Sequence, residues 1–145
     1  MASISIPKKT EEKLKARAGE DQTFSGQIND DLTLCWSLLD RGMMAVRKIL
    51  SRTEVMLILD VQNGTFWDAS QLPMWIQGGL EHQVSDGIEI DQLDQKWKIS
   101  GPQLLEKIRA MGDLETVAIL DFCRDMWRNN SIDGHWEKEL ARFAG

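Results

Sequence analysis

The amino-acid sequence predicts a mainly α-helical protein whose chain opens with one short β-strand. Apolar residues recur at steps of three and four over most of the 145 residues, which is the period of amphipathic helices. Polar and apolar residues alternate over residues 3–6, which is the period of a half-buried strand. Hydrophobic residues make up 42% of the chain, enough for a core. The length suits one domain or two small ones.

The predicted strand covers residues 3–6, and Pro7 ends it because proline donates no ladder hydrogen bond. A strand of this length is not stable alone. Its partner must therefore be distant in the chain or a second copy of the same strand. Residues 88–91 also alternate, but a short helix competes with a strand there.

The helices of the N-terminal third follow from periodicity and capping residues. A short helix is predicted over residues 8–18, with Gly19 as its stop. A longer amphipathic helix follows, and Thr23 or Ser25 can cap its start. We expect Gly42 to bend or split this helix. Its apolar stripe consists of Ile28, Leu32, Cys35, Trp36, Leu39, Met43, Val46 and Leu50.

The sequence after residue 50 also predicts helices. Ser51 and Glu54 form a capping-box pattern, which starts a buried helix that should end before Asn63. Further helices are predicted around residues 74–84, after Ser100, over residues 114–128 and over residues 132–143.

The neighbouring residues of each tryptophan predict whether its side chain lies in the core. Trp97 stands between two lysines, the setting that stacking on bases would need, although core packing is the simpler interpretation. The remaining ones lie on apolar faces and are expected in the core: Trp36, Trp67, Trp75, Trp127 and Trp136.

The net charge of −6 is unevenly distributed. Residues 1–52 contain nine Lys/Arg and seven Asp/Glu, a balance of +2, whereas residues 53–145 contain eight and sixteen, a balance of −8. A basic segment attracts a polyanion such as DNA and an acidic one repels it. The asymmetry therefore indicates two functions in one chain. Five basic residues fall within ten positions: Lys8, Lys9, Lys13, Lys15 and Arg17.

Several classes of protein lack support in the sequence. No apolar run approaches the ~20 residues of a membrane helix, and the N-terminus lacks a basic-then-apolar signal segment. Cys35 and Cys123 belong to no paired motif, so we expect reduced thiols in a cytoplasmic protein. Nucleotide-binding loops, nucleophile motifs and metal-ligand spacings are also missing, so we expect no catalytic residue, no metal and no cofactor.

The order of strand, short helix, Ser/Thr-rich turn and longer helix resembles the ribbon-helix-helix family of DNA-binding proteins. The resemblance covers residues 2–41 and rests on SISIP at 3–7, EEKL at 11–14 and TFSGQINDDL at 23–32. It implies a strand that pairs antiparallel with the same strand of a second subunit, forming a ribbon that enters the DNA major groove. The implied architecture is a ribbon-helix-helix domain over residues 1–50 and an acidic helical domain over residues 51–145.

The resemblance also implies which residues contact DNA. Ser3 and Ser5 would face base edges, and Lys8 and Lys9 would lie near flanking phosphates. Backbone N–H groups at the start of the second helix would hold a further phosphate. The residues of that helix start are Thr23, Phe24, Ser25 and Gly26.

The sequence thus predicts a homodimeric, sequence-specific transcriptional regulator of bacterial, plasmid or phage type that binds double-stranded DNA. Its C-terminal domain would bind an effector, a partner protein or another dimer. The alternative is an acidic interaction module or inhibitor that binds a protein partner and not DNA. No catalytic motif in the sequence supports an enzyme, and we expect no contact with a membrane.

Overall fold

The computed structural model of the protein describes residues 6–62, 69–91 and 98–130, and all the secondary structure in these ranges is helical. The mainly α prediction is therefore confirmed for these ranges. A 3₁₀ turn, Ala69–Gln71, precedes α4, and a π-helical turn, Trp75–Gly79, joins α4 to α5. The α-helices of the described ranges are α1 Lys8–Arg17, α2 Phe24–Ile49, α3 Arg52–Gln62, α4 Leu72–Met74, α5 Leu80–Asp91, α6 Gly101–Ala110 and α7 Asp113–Asn130.

The prediction of an N-terminal ribbon is wrong. The described ranges contain no strand, and Ile6, the last residue of the predicted strand, has no regular secondary structure. Pro7 instead caps α1, because its carbonyl accepts the amides of Thr10 and Glu11 at 3.0 Å each. A strand of four residues is stable only when it pairs with another strand, and the described ranges contain none. Residues 3–5 lie outside the described ranges.

The helix starts predicted from capping residues are confirmed for α3 and α6. The Ser51 amide donates to Glu54 Oε1 at 2.8 Å, and the Glu54 amide donates to Ser51 Oγ at 3.2 Å. Ser100 Oγ accepts the Gln103 amide at 3.4 Å. Three tryptophans and one predicted helix lie outside the described residues: Trp67, Trp97, Trp136 and residues 132–143.

The chain around the predicted helix at 74–84 is more broken than its periodicity indicates. Gly78 has a φ of 111°, a left-handed conformation that favours glycine, and it interrupts the helical backbone before α5. α5 then continues to Asp91, so residues 88–91 are helical and the alternative of a strand is wrong. The helical conformation lets Ile88 pack against the buried core.

The chain divides into two compact units, Met1–Leu38 and Leu39–Gly145, which we call unit 1 and unit 2. The boundary falls inside α2, so one continuous helix contributes to both units. The buried hydrophobic cluster of the described residues belongs entirely to unit 2. Members with no exposed surface include Val46, Leu57, Ile58, Leu59, Leu104 and Ile119.

Helix α3 lies at the centre of unit 2. Residues 57–59 are all fully buried, and the residues on either side of them, Met56 and Asp60, are half-buried. Trp127 Nε1 of α7 donates to the Leu59 carbonyl at 2.9 Å. Glu54 is 5% exposed, and Lys107 Nζ of α6 lies 2.8 Å from its Oε1, which compensates the burial of that carboxylate.

Helix α2 runs unbroken through Gly42, so the expectation of a split there is wrong. Gly42 is buried, and a Cβ built on it would lie 2.6 Å from the Ala118 Cβ and 2.9 Å from the Leu114 carbonyl oxygen. The missing side chain therefore allows α2 and α7 to approach closely. This contact brings the C-terminal half of α2 into the core of unit 2.

Candidate functional site

Thr23, one of the two residues predicted to cap α2, is its N-cap. Its Oγ1 accepts the Gly26 amide at 3.0 Å, and its carbonyl accepts the first helical hydrogen bond. A Cβ on Gly26 would lie 2.8 Å from Thr23 Oγ1 and 2.9 Å from Gln22 Nε2, so a larger residue would disturb this cap. Phe24 is half-buried and Ser25 is exposed in the same turn.

The basic residues of α1 are exposed along the helix. Lys15 Nζ lies 3.0 Å from Glu11 Oε1. Lys8, Lys9 and Lys13 form no ion pair with any residue of the described ranges. Two of the DNA contacts that the resemblance implied lie outside those ranges: Ser3 and Ser5.

An ion pair joins α1 to α2 within unit 1. Arg17 Nη2 lies 2.8 Å from Asp31 Oδ1, and Arg17 Nε lies 3.1 Å from Asp31 Oδ2, which is a bidentate arrangement. Gln27 Nε2 also donates to Asp31 Oδ1 at 2.9 Å. The hydrogen bonds from Arg17 hold the pKa of Asp31 below its ordinary value, and the Gln27 amide acts in the same direction.

Beyond this pair, the N-terminal half of α2 carries an exposed apolar surface. All seven residues at 32–38 have solvent-accessible side chains, with Leu32 the first and Leu38 the last of the large apolar ones. The exposed fractions are 44% for Leu32, 54% for Leu34, 59% for Trp36 and 44% for Leu38. We call these four side chains the apolar face of α2. Residues 32–39 include no charged side chain, so this surface has an unusually low affinity for water.

The apolar face is too wide for a helix that packs on one neighbour. At 100° per residue, Leu34 and Trp36 mark the edges of an arc of roughly 200°, with Leu32, Cys35 and Leu38 between them. A surface helix with one packed side needs an apolar stripe of about 100°. The arc therefore matches a helix that packs on neighbours on two sides.

Unit 1 supplies little cover for this arc. Gln27 is the one buried residue among its described residues, and burial along this half of α2 is confined to the first two turns. The same stripe is covered further along the helix, where Val46 and Leu50 lie in the core of unit 2. The apolar face thus continues the stripe that is buried in unit 2, but no described residue of unit 1 buries it.

The prediction that Trp36 lies in the core is wrong. The same prediction is confirmed for Trp75, which is 6% exposed, and Trp127 is half-buried. The prediction considered only apolar residues at steps of three and four along α2. It therefore overlooked Leu34 and Leu38, which lie beside that stripe and widen the apolar arc. A stretch that is uncharged on every side indicates contacts on more than one side.

The two cysteines lie in different environments, one on the exposed part of α2 and one in the core of unit 2. Cys35 lies within the apolar arc and is exposed, whereas Cys123 is buried in unit 2, and both are free thiols. Burial raises the pKa of the Cys123 thiol, which lowers its reactivity. A thiol reagent should therefore react with Cys35 in preference to Cys123, and its rate reports the accessibility of the apolar face.

Unit 2 contains a small cavity of about 220 Å³ beside the π-helical turn. Trp75, Glu81 and Arg109 are among its lining residues, and Arg109 pairs with Glu81, so that each charge neutralises the other. Trp75 Nε1 is buried and has no hydrogen-bond partner among the residues that the structure describes. Among the described residues, no group of His, Cys, Asp or Glu is arranged to hold a metal ion. Their helices also lack the combined length and apolar character that crossing a membrane requires.

Comparison of the chain with protein-family models, with curated proteins and with solved structures gives no match. The exposed apolar face of α2 is the feature of the described residues on which a functional assignment can be based.

Proposed function

We propose that the protein is an interaction module, not an enzyme, and that it binds a protein surface through the apolar face of α2. The observation that carries this proposal is the exposure of four large apolar side chains on two successive turns, between 44% and 59% each. Contiguous exposed apolar surface of this kind marks interaction sites in proteins that fold into stable units. Its uncharged character matches the centre of a protein interface, which is depleted of charge.

Trp36 is the anchor of the proposed surface. It is the largest and most exposed of the four side chains, and tryptophan is enriched among the residues that dominate binding energy. Leu32 lies one turn before it on the same side of α2. We also propose a cytoplasmic location, because free thiols such as Cys35 persist in a reducing compartment.

The test is photo-crosslinking from Cys35, which lies within the arc. A benzophenone maleimide on Cys35 is illuminated in an extract of cells that express the protein, and the covalent products are identified by mass spectrometry. We expect one dominant protein–protein adduct, because the partner covers the label. Trp36→Glu should reduce its yield at least tenfold, since the variant places a charge at the centre of the contact.

A matched control places the same label on the opposite side of α2. Thr33 is exposed and lies roughly 160° around the helix from Cys35, so Cys35→Ser combined with Thr33→Cys moves the label away from the face. Equal yields from the two positions, or no adduct from Cys35, would reject the proposed function.

DNA binding is a second candidate, and one observation favours it. Lys8, Lys9 and Lys13 lie exposed on α1 without an ion pair among the described residues, so their charges are free to contact phosphates. This candidate needs no ribbon, since phosphate contacts require only positioned positive charge. Two copies of α1 would present six such lysines.

A mobility-shift assay at graded salt tests the DNA candidate. Six phosphate contacts predict that the logarithm of the binding constant falls with the logarithm of salt concentration at a slope of about −5. Lys9→Gln with Lys13→Gln should reduce the slope by about one unit per lysine removed. Absence of binding at low salt, or a slope that the double variant leaves unchanged, would exclude this surface.

A further inference from the structure

We propose that the occupant of the apolar face of α2 is a second copy of this chain, which forms a reversible two-fold dimer. This inference rests on the proposed function, because it names the partner of the same surface. Its failure is separable from that of the proposed function, since the face can bind a different protein while the purified chain stays monomeric.

The spacing of the apolar residues favours a partner helix. Ile28, Leu32 and Cys35 follow each other at steps of four and three, which is the seam of helices that pack side by side. Trp36 and Leu38 flank this seam on its two sides, so the contact is wider than the seam itself. A helix of the same kind supplies a matching surface, and α2 of a second copy is such a helix.

The charge distribution favours a second copy over an oppositely charged partner. The whole chain has a net charge of −6, so two copies repel each other in general. Unit 1 contains five Lys/Arg and six Asp/Glu, close to neutral, and residues 32–39 carry no charge. Two copies that meet on this surface therefore bury no charge, and they repel each other less there than through unit 2, which contains twelve Lys/Arg and seventeen Asp/Glu.

The symmetry of the exposed stretch places one residue at the centre of the contact. Cys35 is the middle residue of the exposed stretch 32–38. If two such stretches meet over their full length, the two Cys35 thiols come together whether the helices run parallel or antiparallel. A short thiol-specific cross-linker therefore tests the contact for either direction of the partner helix.

The size of the surface sets the expected strength. Stable protein–protein contacts bury about 800 Å² on each partner, and four half-exposed side chains on two helical turns provide less than this. We therefore expect a reversible dimer with a dissociation constant on the order of 1–100 μM, not an obligate one.

The experiment combines sedimentation equilibrium with bismaleimide cross-linking of the purified full-length chain. We expect a concentration-dependent mass between one and two copies of 16.5 kDa, and a covalent dimer that Cys35→Ser abolishes. Trp36→Glu should raise the dissociation constant about 100-fold or more. Met74→Glu is the matched control, because Met74 is 55% exposed but lies in unit 2, and it should leave the dimer unchanged.

Four outcomes would overturn the inference. A mass of 16.5 kDa throughout the concentration series shows no dimer. A dimer that resists Trp36→Glu, with helicity by circular dichroism as in the parent, forms through another surface. A Cys35 labelling rate that is slow at every dilution shows that another part of the same chain covers the face. If the photo-adduct of Cys35 contains a different protein, the proposed function stands and the second copy is excluded.

Discussion

One apolar stripe runs along both halves of α2, but it is buried in one half and exposed in the other. In the C-terminal half, Val46 and Leu50 are buried in the core of unit 2. In the N-terminal half, Leu32 and Trp36 are exposed although they continue the same stripe. The difference lies in the neighbours, because α7 lies against α2 at Gly42 in unit 2, whereas unit 1 supplies only the ten-residue α1 among its described residues.

This comparison shows what a stripe on a helix determines. Periodicity identifies the side that must be covered, since apolar surface in water is unfavourable. It leaves open whether the cover comes from the same chain or from another molecule. In this protein the breadth of the apolar arc distinguishes the two cases, because the exposed residues 32–38 carry no charge on any side of the helix.

The largest difference should appear when a leucine in the core of unit 2, Leu57 of α3, and a leucine of the apolar face, Leu34 of α2, are each shortened to alanine. Leu57→Ala should lower the free energy of unfolding by about 2–5 kcal/mol, because it opens a cavity in the core. Leu34→Ala should change it by less than about 0.5 kcal/mol at a dilution where the chain is monomeric. Urea denaturation of both variants tests this contrast, and similar losses would show that residue 34 is buried in the monomer.

The close contact of the covered half should be sensitive to one added carbon. Gly42→Ala should cost about 1–3 kcal/mol, because its Cβ would overlap the Ala118 methyl group. Gly19→Ala is the control, since a Cβ there meets no atom within 4 Å, and it should be neutral or stabilising by up to about 1 kcal/mol. Thermal unfolding of both variants distinguishes them, and an equal response would contradict the close approach of α2 and α7.

Loss of a helix cap should also act differently in the two units. Ser51→Ala should lower the free energy of unfolding of unit 2 by about 1 kcal/mol, because it removes the cap of a core helix. Thr23→Ala should leave that free energy within about 0.5 kcal/mol and instead speed amide exchange in the first turn of α2. A loss of global stability from Thr23→Ala would show that unit 1 unfolds together with the core.

The smallest expected effect is that of acid on the pair between Arg17 and Asp31. The pKa of Asp31 is lowered from 3.8, so this pair stabilises the packing of α1 on α2 above that pH and its contribution disappears as pH falls further. Titration by carbon NMR of the Asp31 carboxyl should show the lowered pKa, and Arg17→Gln should return it towards 3.8. A midpoint that Arg17→Gln leaves unchanged would contradict the role assigned to the guanidinium.

The helices were predictable because local chemistry sets them. The capping box at Ser51 and the cap at Thr23 form as the sequence indicates. The prediction of an N-terminal ribbon was wrong, since an alternation over four residues is weak evidence for a strand, and Ile6, the one of these residues that the structure describes, has no regular secondary structure. The role of Gly42 depends on α7, more than seventy residues away, and local sequence carries no information about that contact.

The candidate site was only partly predictable for the same reason. The stripe places Leu32 and Trp36 on one side of α2, but it also predicts Trp36 in the core, because buried tryptophan is the usual case. The exposure of Trp36 depends on which residues pack against α2, and hence on tertiary contacts. Leu34 and Leu38 lie outside the stripe, so periodicity alone predicts no role for them.

Hydrogen exchange along α2, measured over a dilution series of the purified chain, tests the central claim most directly. We expect the amides of residues 32–38 to exchange more slowly as concentration rises, because a second copy covers them, and those of residues 46–50 to stay constant, because the core of unit 2 already covers them. Exchange at residues 32–38 that is independent of concentration would contradict the account.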